Sequence, residues 1–192
     1  MADLAPPVPL TEVLITEQLM RRRERPILST FTNAVMVELH RLLAEEPAQF
    51  PTEAARAAMI LPGAHSAGLS LVTEEPTVFH APIVDGRWTK HADSAARLQA
   101  SLCPLALEHR RLLMVSRPER AFLSLQGAYP PIVEALLAPF FIGERPAGVV
   151  WAVFHNADLQ FDIHDGYMLE ELARLVASAH LPARVGLARP EA

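Results

Sequence analysis

Between Phe140 and Asn156 the chain reads FFIGERPAGVVWAVFHN, two apolar runs joined by Gly-Glu-Arg-Pro. Strand alternation puts Val149, Trp151, Val153 and His155 on one face of the second run, and Gly148, Val150, Ala152 and Phe154 on the other. Both faces are apolar, so this strand has to lie inside a sheet that is covered on both sides. Ile132 to Ile142 supplies its hairpin partner across the Gly-Glu-Arg-Pro turn. The rest of the chain must then provide two covering layers.

The first layer can come from the chain ends. Ile27 to Glu46 carries Leu28, Phe31, Val35, Leu39 and Leu42 at helical spacing and is stopped by Pro47. Thr52 to Leu61 predicts a short helix with Thr52 as N-cap and Pro62-Gly63 after it. From about Ile163, the residues Tyr167, Leu169, Leu172, Leu175, Val176 and Ala179 form another amphipathic stripe, capped by Asp162 or His164-Asp165 and ended before Pro182. Ahead of these, Pro6, Pro7 and Pro9 open a loose lead-in, and a short helix from Thr11 runs into Arg21, Arg22, Arg23, Glu24 and Arg25. That basic cluster reads as a solvated helix end.

Strands are predicted at His65–Thr73 and Thr77–Val84, paired as a hairpin across Glu74-Glu75-Pro76, and at Arg111–Ser116. Residues 85–102 are polar, then alanine-rich, and read as loop plus a short helix. Short turns between strands predict a mostly antiparallel sheet. Ala67, Leu69 and Leu71, or instead Gly68, Ser70 and Val72, share a face with the Trp151 row; alternation leaves both assignments open.

With 192 residues, 51% of them hydrophobic and a net charge of −5, the chain can bury a real core and offers no basic footprint for nucleic acid. Its apolar runs are too short to span a bilayer, so no membrane partner is expected. The single cysteine, Cys103, excludes an intramolecular disulfide and suits a cytoplasmic location.

Five segments, AHSAGLSL (Ala64 to Leu71), HAPIVDGRW (His80 to Trp88), SRPER (Ser116 to Arg120), Pro130 to Asn156 and FDIHDGYMLEELARLVASA (Phe161 to Ala179), resemble in order and spacing a GAF domain, the sensor module of bacterial histidine kinases. The resemblance covers Ile27 to His180. It implies an α+β fold: a central antiparallel sheet of five to six strands, with the N- and C-terminal helices on one face and a loop-covered pocket on the other. It divides the chain into a lead-in with a short helix (1–26), a GAF domain (27–181) and a tail (182–192). It further implies a small-molecule ligand of unknown identity and a homodimer formed through the terminal helices. Because only a dozen residues follow His180, any output is expected to come from a signalling protein partner or another chain, or to be absent.

Six residues are candidates for the ligand site: Ser70, Trp88, His91, Cys103, Trp151 and His155. Cys103 stands in Ser-Leu-Cys-Pro, where related domains have Ser-Pro-Cys-Gly. Between Leu102 and Leu105 it also reads as a small buried hydrophobe. The eight histidines are scattered singly, with no His-Glu-x-x-His and no Cys-x-x-Cys, so no metal site is expected. One histidine suffices as an axial haem ligand, which singles out His91 and His155. GAF-like methionine sulfoxide reductases need at least two cysteines, and no nucleophile and base are paired in the sequence. The expected function is a regulatory sensor that is not an enzyme. The alternatives are a GAF fold used only for dimerisation and protein contacts, or a haem or tetrapyrrole sensor.

Overall fold

The computed structural model describes residues 7–26, 29–72, 79–80 and 82–179. Residues 1–6 of the lead-in, the Glu74-Glu75 pair and the 182–192 tail lie outside the described residues. In chain order the elements are α1 (Leu10–Val13), α2 (Thr16–Leu19), α3 (Ser29–Glu45), α4 (Phe50–Ile60), β1 (Ser66–Leu71), β2 (Ile83–Gly86), α5 (Ala92–His109), β3 (Leu113–Ser116), β4 (Glu134–Ile142), β5 (Arg145–Phe154) and α6 (Ile163–Ser178). The architecture is α+β, with the strands in the order β2-β1-β5-β4-β3 and every pairing antiparallel.

The hairpin expected from FFIGERPAGVVWAVFHN is β4–β5, and β5 is the middle strand. Its turn is tighter than Gly-Glu-Arg-Pro: Ile142 pairs with Arg145, leaving only Gly143 and Glu144 in the loop. Gly143 has φ 61°, a conformation that suits glycine. Pro146, which cannot donate to the ladder, sits beside the register shift at Phe140 and Phe141.

Alternation along β5 separates two cores. Val150, Ala152 and Phe154 pack with Ala67, Leu69 and Leu71 against α3, α4 and α6. Val149, Trp151 and Val153 pack on the other face against α5 and Trp88. The open choice for β1 is thereby decided: Gly68 and Ser70 face α5, directly across from Trp151 and Val149. Complete burial of each large apolar side chain in these layers contributes about 1.5–3 kcal/mol.

Three local expectations change. Residues 92–109 form one helix of 18 residues rather than a loop with a short helix, and Pro104 lies inside it. The buried stripe Ala95, Leu98, Leu102, Cys103 and Ala106 holds that helix to the sheet despite the hydrogen bond Pro104 lacks. Strand β2 starts at Ile83, so the register of the β1–β2 hairpin lies further along the chain than the Thr77–Val84 expectation. The Arg21–Arg25 cluster is also not simply solvated. Arg22 reaches Glu134 at 2.6 Å, and Arg25 pairs with Asp162 and Asp165. The α6 cap is the expected one: Asp162 accepts from the His164 and Asp165 amides, while the Asp165 carboxylate accepts from the Asp162 amide.

Candidate functional site

Five of the six candidate residues come together in the layer between β5, β1 and α5; the sixth, His91, sits at its edge. Small side chains make room for the large ones there. Gly68 lies opposite Trp151, and a Cβ on it would sit 2.5 Å from Trp151 Cζ2 and collide with the Ile83 carbonyl oxygen. Trp151 is fully buried, and its indole N–H donates to Ser70 Oγ at 3.0 Å. Trp88, also fully buried, donates its indole N–H to the Pro130 carbonyl at 3.1 Å. The two indoles lie 5.9 Å apart at 56°. Both satisfy their polar edge while filling the layer, as buried tryptophans must.

Cys103 is buried on α5 beside the Ser70 hydroxyl. Burial pushes its thiol up to about 12, against a smaller opposing effect of Ser70. A thiol held protonated in this way is a weak nucleophile and a poor metal ligand.

His155 is 6% exposed and has both ring nitrogens engaged. Its Nδ1–H donates to the Pro131 carbonyl at 2.8 Å, because a carbonyl can only accept. Nε2 is then the acceptor, 2.7 Å from Ser66 Oγ, whose hydroxyl hydrogen points to it. Ser66 Oγ in turn accepts the Trp88 backbone N–H at 3.1 Å. The relay therefore runs from the Trp88 amide through Ser66 to His155 and on to Pro131, and each member is satisfied. Burial pushes His155 down to about 4, opposed by the Pro131 contact and helped by His65, Arg87 and His91. At neutral pH it is an uncharged imidazole, and a metal or haem iron at either nitrogen would have to displace a protein hydrogen bond.

His65 adds to this end of the sheet. It stacks on His155 with centroids 6.0 Å apart, and its Nδ1 accepts the His155 backbone N–H at 3.0 Å. Burial, then the Arg87 charge, lower its pKa. His91 is separate: half-buried at the α5 N-terminus, it meets the Tyr129 ring edge-on at 5.3 Å.

Ser66 and His65 lie outside the six candidates, because adjacent in sequence they form no catalytic constellation by themselves. A usable signal exists, since Ser66, Gly68 and Ser70 recur at a period of two and so mark one strand face as small enough for bulky neighbours. Among the described residues, no group of three or more His, Cys, Asp or Glu is placed to hold a metal ion. No helix among them is long and apolar enough to cross a membrane.

No family model matches the chain, and no curated protein matches it. Solved structures do. The free methionine-R-sulfoxide reductase of Neisseria meningitidis, in complex with its substrate, superposes with a TM-score of 0.61 at 16% identity, over 85% of this chain and 96% of that one. The GAF domain of a putative sensor histidine kinase from Pseudomonas syringae pv. tomato gives 0.59 at 16% identity, over 82% and 90%. A protein in its far-red absorbing dark state with bound biliverdin IXa gives 0.55 at 11% identity, over 80% and 98%. These neighbours correct the expectation that the chain is not an enzyme: a methionine-R-sulfoxide reductase stands among the structures that share its architecture. Identities this low speak for architecture alone, and on that ground the chain has the GAF-domain fold.

Proposed function

We propose that this chain is a regulatory GAF-fold module that works through association of its helical face with a second copy of itself. The observation that carries the reading is on α3. Phe31 is 47% exposed, although Leu39 and Leu42 on the same helix are buried. One turn along the same face begins a groove between α3 and α4, floored by Val35, Leu39, Ala57 and Ile60 and rimmed by Glu38, Glu53 and Arg56. An exposed aromatic ring next to an apolar groove suits an isologous contact, where each copy offers both knob and hole. The buried, reduced Cys103 fits a cytoplasmic setting for such a module.

The packed inner layer supports the same reading. Trp88 and Trp151 occupy the place where the sequence predicted a ligand, and both are hydrogen-bonded to the framework.

A second reading, capture of a small ligand, is favoured by the solved neighbours that hold a substrate or biliverdin. In this chain such a ligand would enter at the β2 rim, where Phe79 and Val84 are half-buried against the inner layer.

Sedimentation velocity on the full chain separates the readings when combined with native mass spectrometry. Association through α3 predicts a wild-type dimer that Phe31→Glu converts to monomer while the monomer stays folded. A wild type that stays monomeric at every concentration overturns it. A co-purifying small molecule on that monomer would favour the second reading.

A further inference from the structure

The segment before α3 does more than lead into the fold. Helices α1 and α2 have four residues each, too short to hold themselves together. They are held by what they lie on. The Val8 amide donates to the Arg120 carbonyl at 3.0 Å and the Ile15 amide to the Met114 carbonyl at 2.9 Å. The Met114 amide donates to Thr16 Oγ1 at 2.9 Å, and Leu14 bridges Val115. These contacts take up the outer edge of β3, an edge that would otherwise be open to strand addition.

The seat under this strap combines a small apolar patch, to which Leu14 and Ile15 also contribute, with several ion pairs. Its two fully seated apolar anchors are Val13 and Leu19, and Leu19 rests on Gly166 in the first turn of α6, where an added Cβ would come within 2.8 Å of it. Arg22 makes a two-pronged contact with Glu134 at 2.8 and 2.6 Å and also donates to the Phe161 carbonyl at 2.9 Å. The Arg25 amide donates to Asp162 at 2.8 Å, and its guanidinium reaches Asp162 and Asp165. Glu12 pairs with Arg120 at 2.8 Å, and Glu24 meets His164 at 3.1 Å. The body thus presents three carboxylates that are 2–7% exposed, and the strap delivers the two arginines that neutralise them. Two four-residue helices held at a sheet edge by charge pairs and a small apolar patch, Val13, Leu14, Ile15 and Leu19, have the profile of a unit that opens below the global unfolding free energy.

We propose that residues 7–25 are a latch, a strap that opens as one unit from β3 and the first turn of α6 while the rest of the domain stays folded. Opening frees the backbone groups of the β3 edge. It also leaves Glu134, Asp162 and Asp165 without their cations, which favours the closed latch.

Native-state hydrogen exchange on the full chain tests this. The Ile15, Arg25 and Met114 amides should exchange together, at least about tenfold faster than those of Val149 to Val153 in β5. Leu19→Ala should accelerate that set by roughly thirtyfold or more and leave β5 unchanged. Strap amides that exchange at the β5 rate overturn the proposal, as does a Leu19→Ala variant that speeds both sets equally. So do strap amides that open one by one at unrelated rates.

Discussion

The hydroxyl of Ser66 takes the Trp88 amide proton and gives its own to His155, so one oxygen satisfies two buried groups. Ser66→Ala removes it and leaves both without a partner. The expected loss is about 1–3 kcal/mol of unfolding free energy, read from urea melts; an unchanged midpoint would show that the relay contributes nothing. Histidine type and position were legible in the sequence, but its state was not. His155 is neutral because Pro131, Ser66 and a layer of indole surround it, and these partners lie 24, 89 and 67 residues away along the chain. The burial of Cys103 is different in kind, since Leu102 and Leu105 beside it already point to an apolar setting.

At the scale of elements, local signals worked where one stripe or cap decides the outcome. The α6 stripe and its Asp162 cap, and the two faces of β5, follow from periods of 3.6 and 2. Helix α5 did not read out, because its alanine-rich, polar start and internal Pro104 argue locally against 18 continuous helical residues. Packing of its buried stripe on the sheet outweighs that local cost. Pro104 itself is exposed. Pro104→Ala should therefore restore a helical hydrogen bond without disturbing the core, raising stability by about 1–3 kcal/mol in a thermal or chemical melt. A loss of stability would mean that the proline bends the helix usefully onto the sheet.

Over the whole molecule, buried titratable groups set opposing pH slopes. His155 has a folded value pushed down to about 4 against an ordinary 6.5, so the stability it contributes is present above pH 6.5 and lost as pH falls toward 4. For Asp165 burial comes first, with the neighbouring Asp162 charge adding to it, and its carboxyl is pushed up to about 6 from 3.8. Its contribution is present below pH 3.8 and lost as pH rises through 6. Burial would raise Asp162 too, but the Arg25 and Asp165 amides and the Arg25 charge hold it below the usual carboxylate range. Its contribution is present above pH 3.8 and lost below. Thermal melts from pH 4 to 7.5 should show wild type losing stability relative to His155→Gln on acidification and gaining it relative to Asp165→Asn. Parallel curves for the two variants would refute both assignments.

By itself the sequence determined the period of each long element, the pairing of residues on strand faces, the α6 cap and the need for two covering layers, because each of these depends on neighbours a few positions apart. Only the tertiary structure decided which face meets α5, that Trp88 and Trp151 fill the inner layer, that His155 is locked in a relay, and that Arg22 and Arg25 leave solvent for buried carboxylates. Those outcomes depend on groups brought together from distant parts of the chain, where burial and hydrogen-bond geometry, rather than spacing, set the energy.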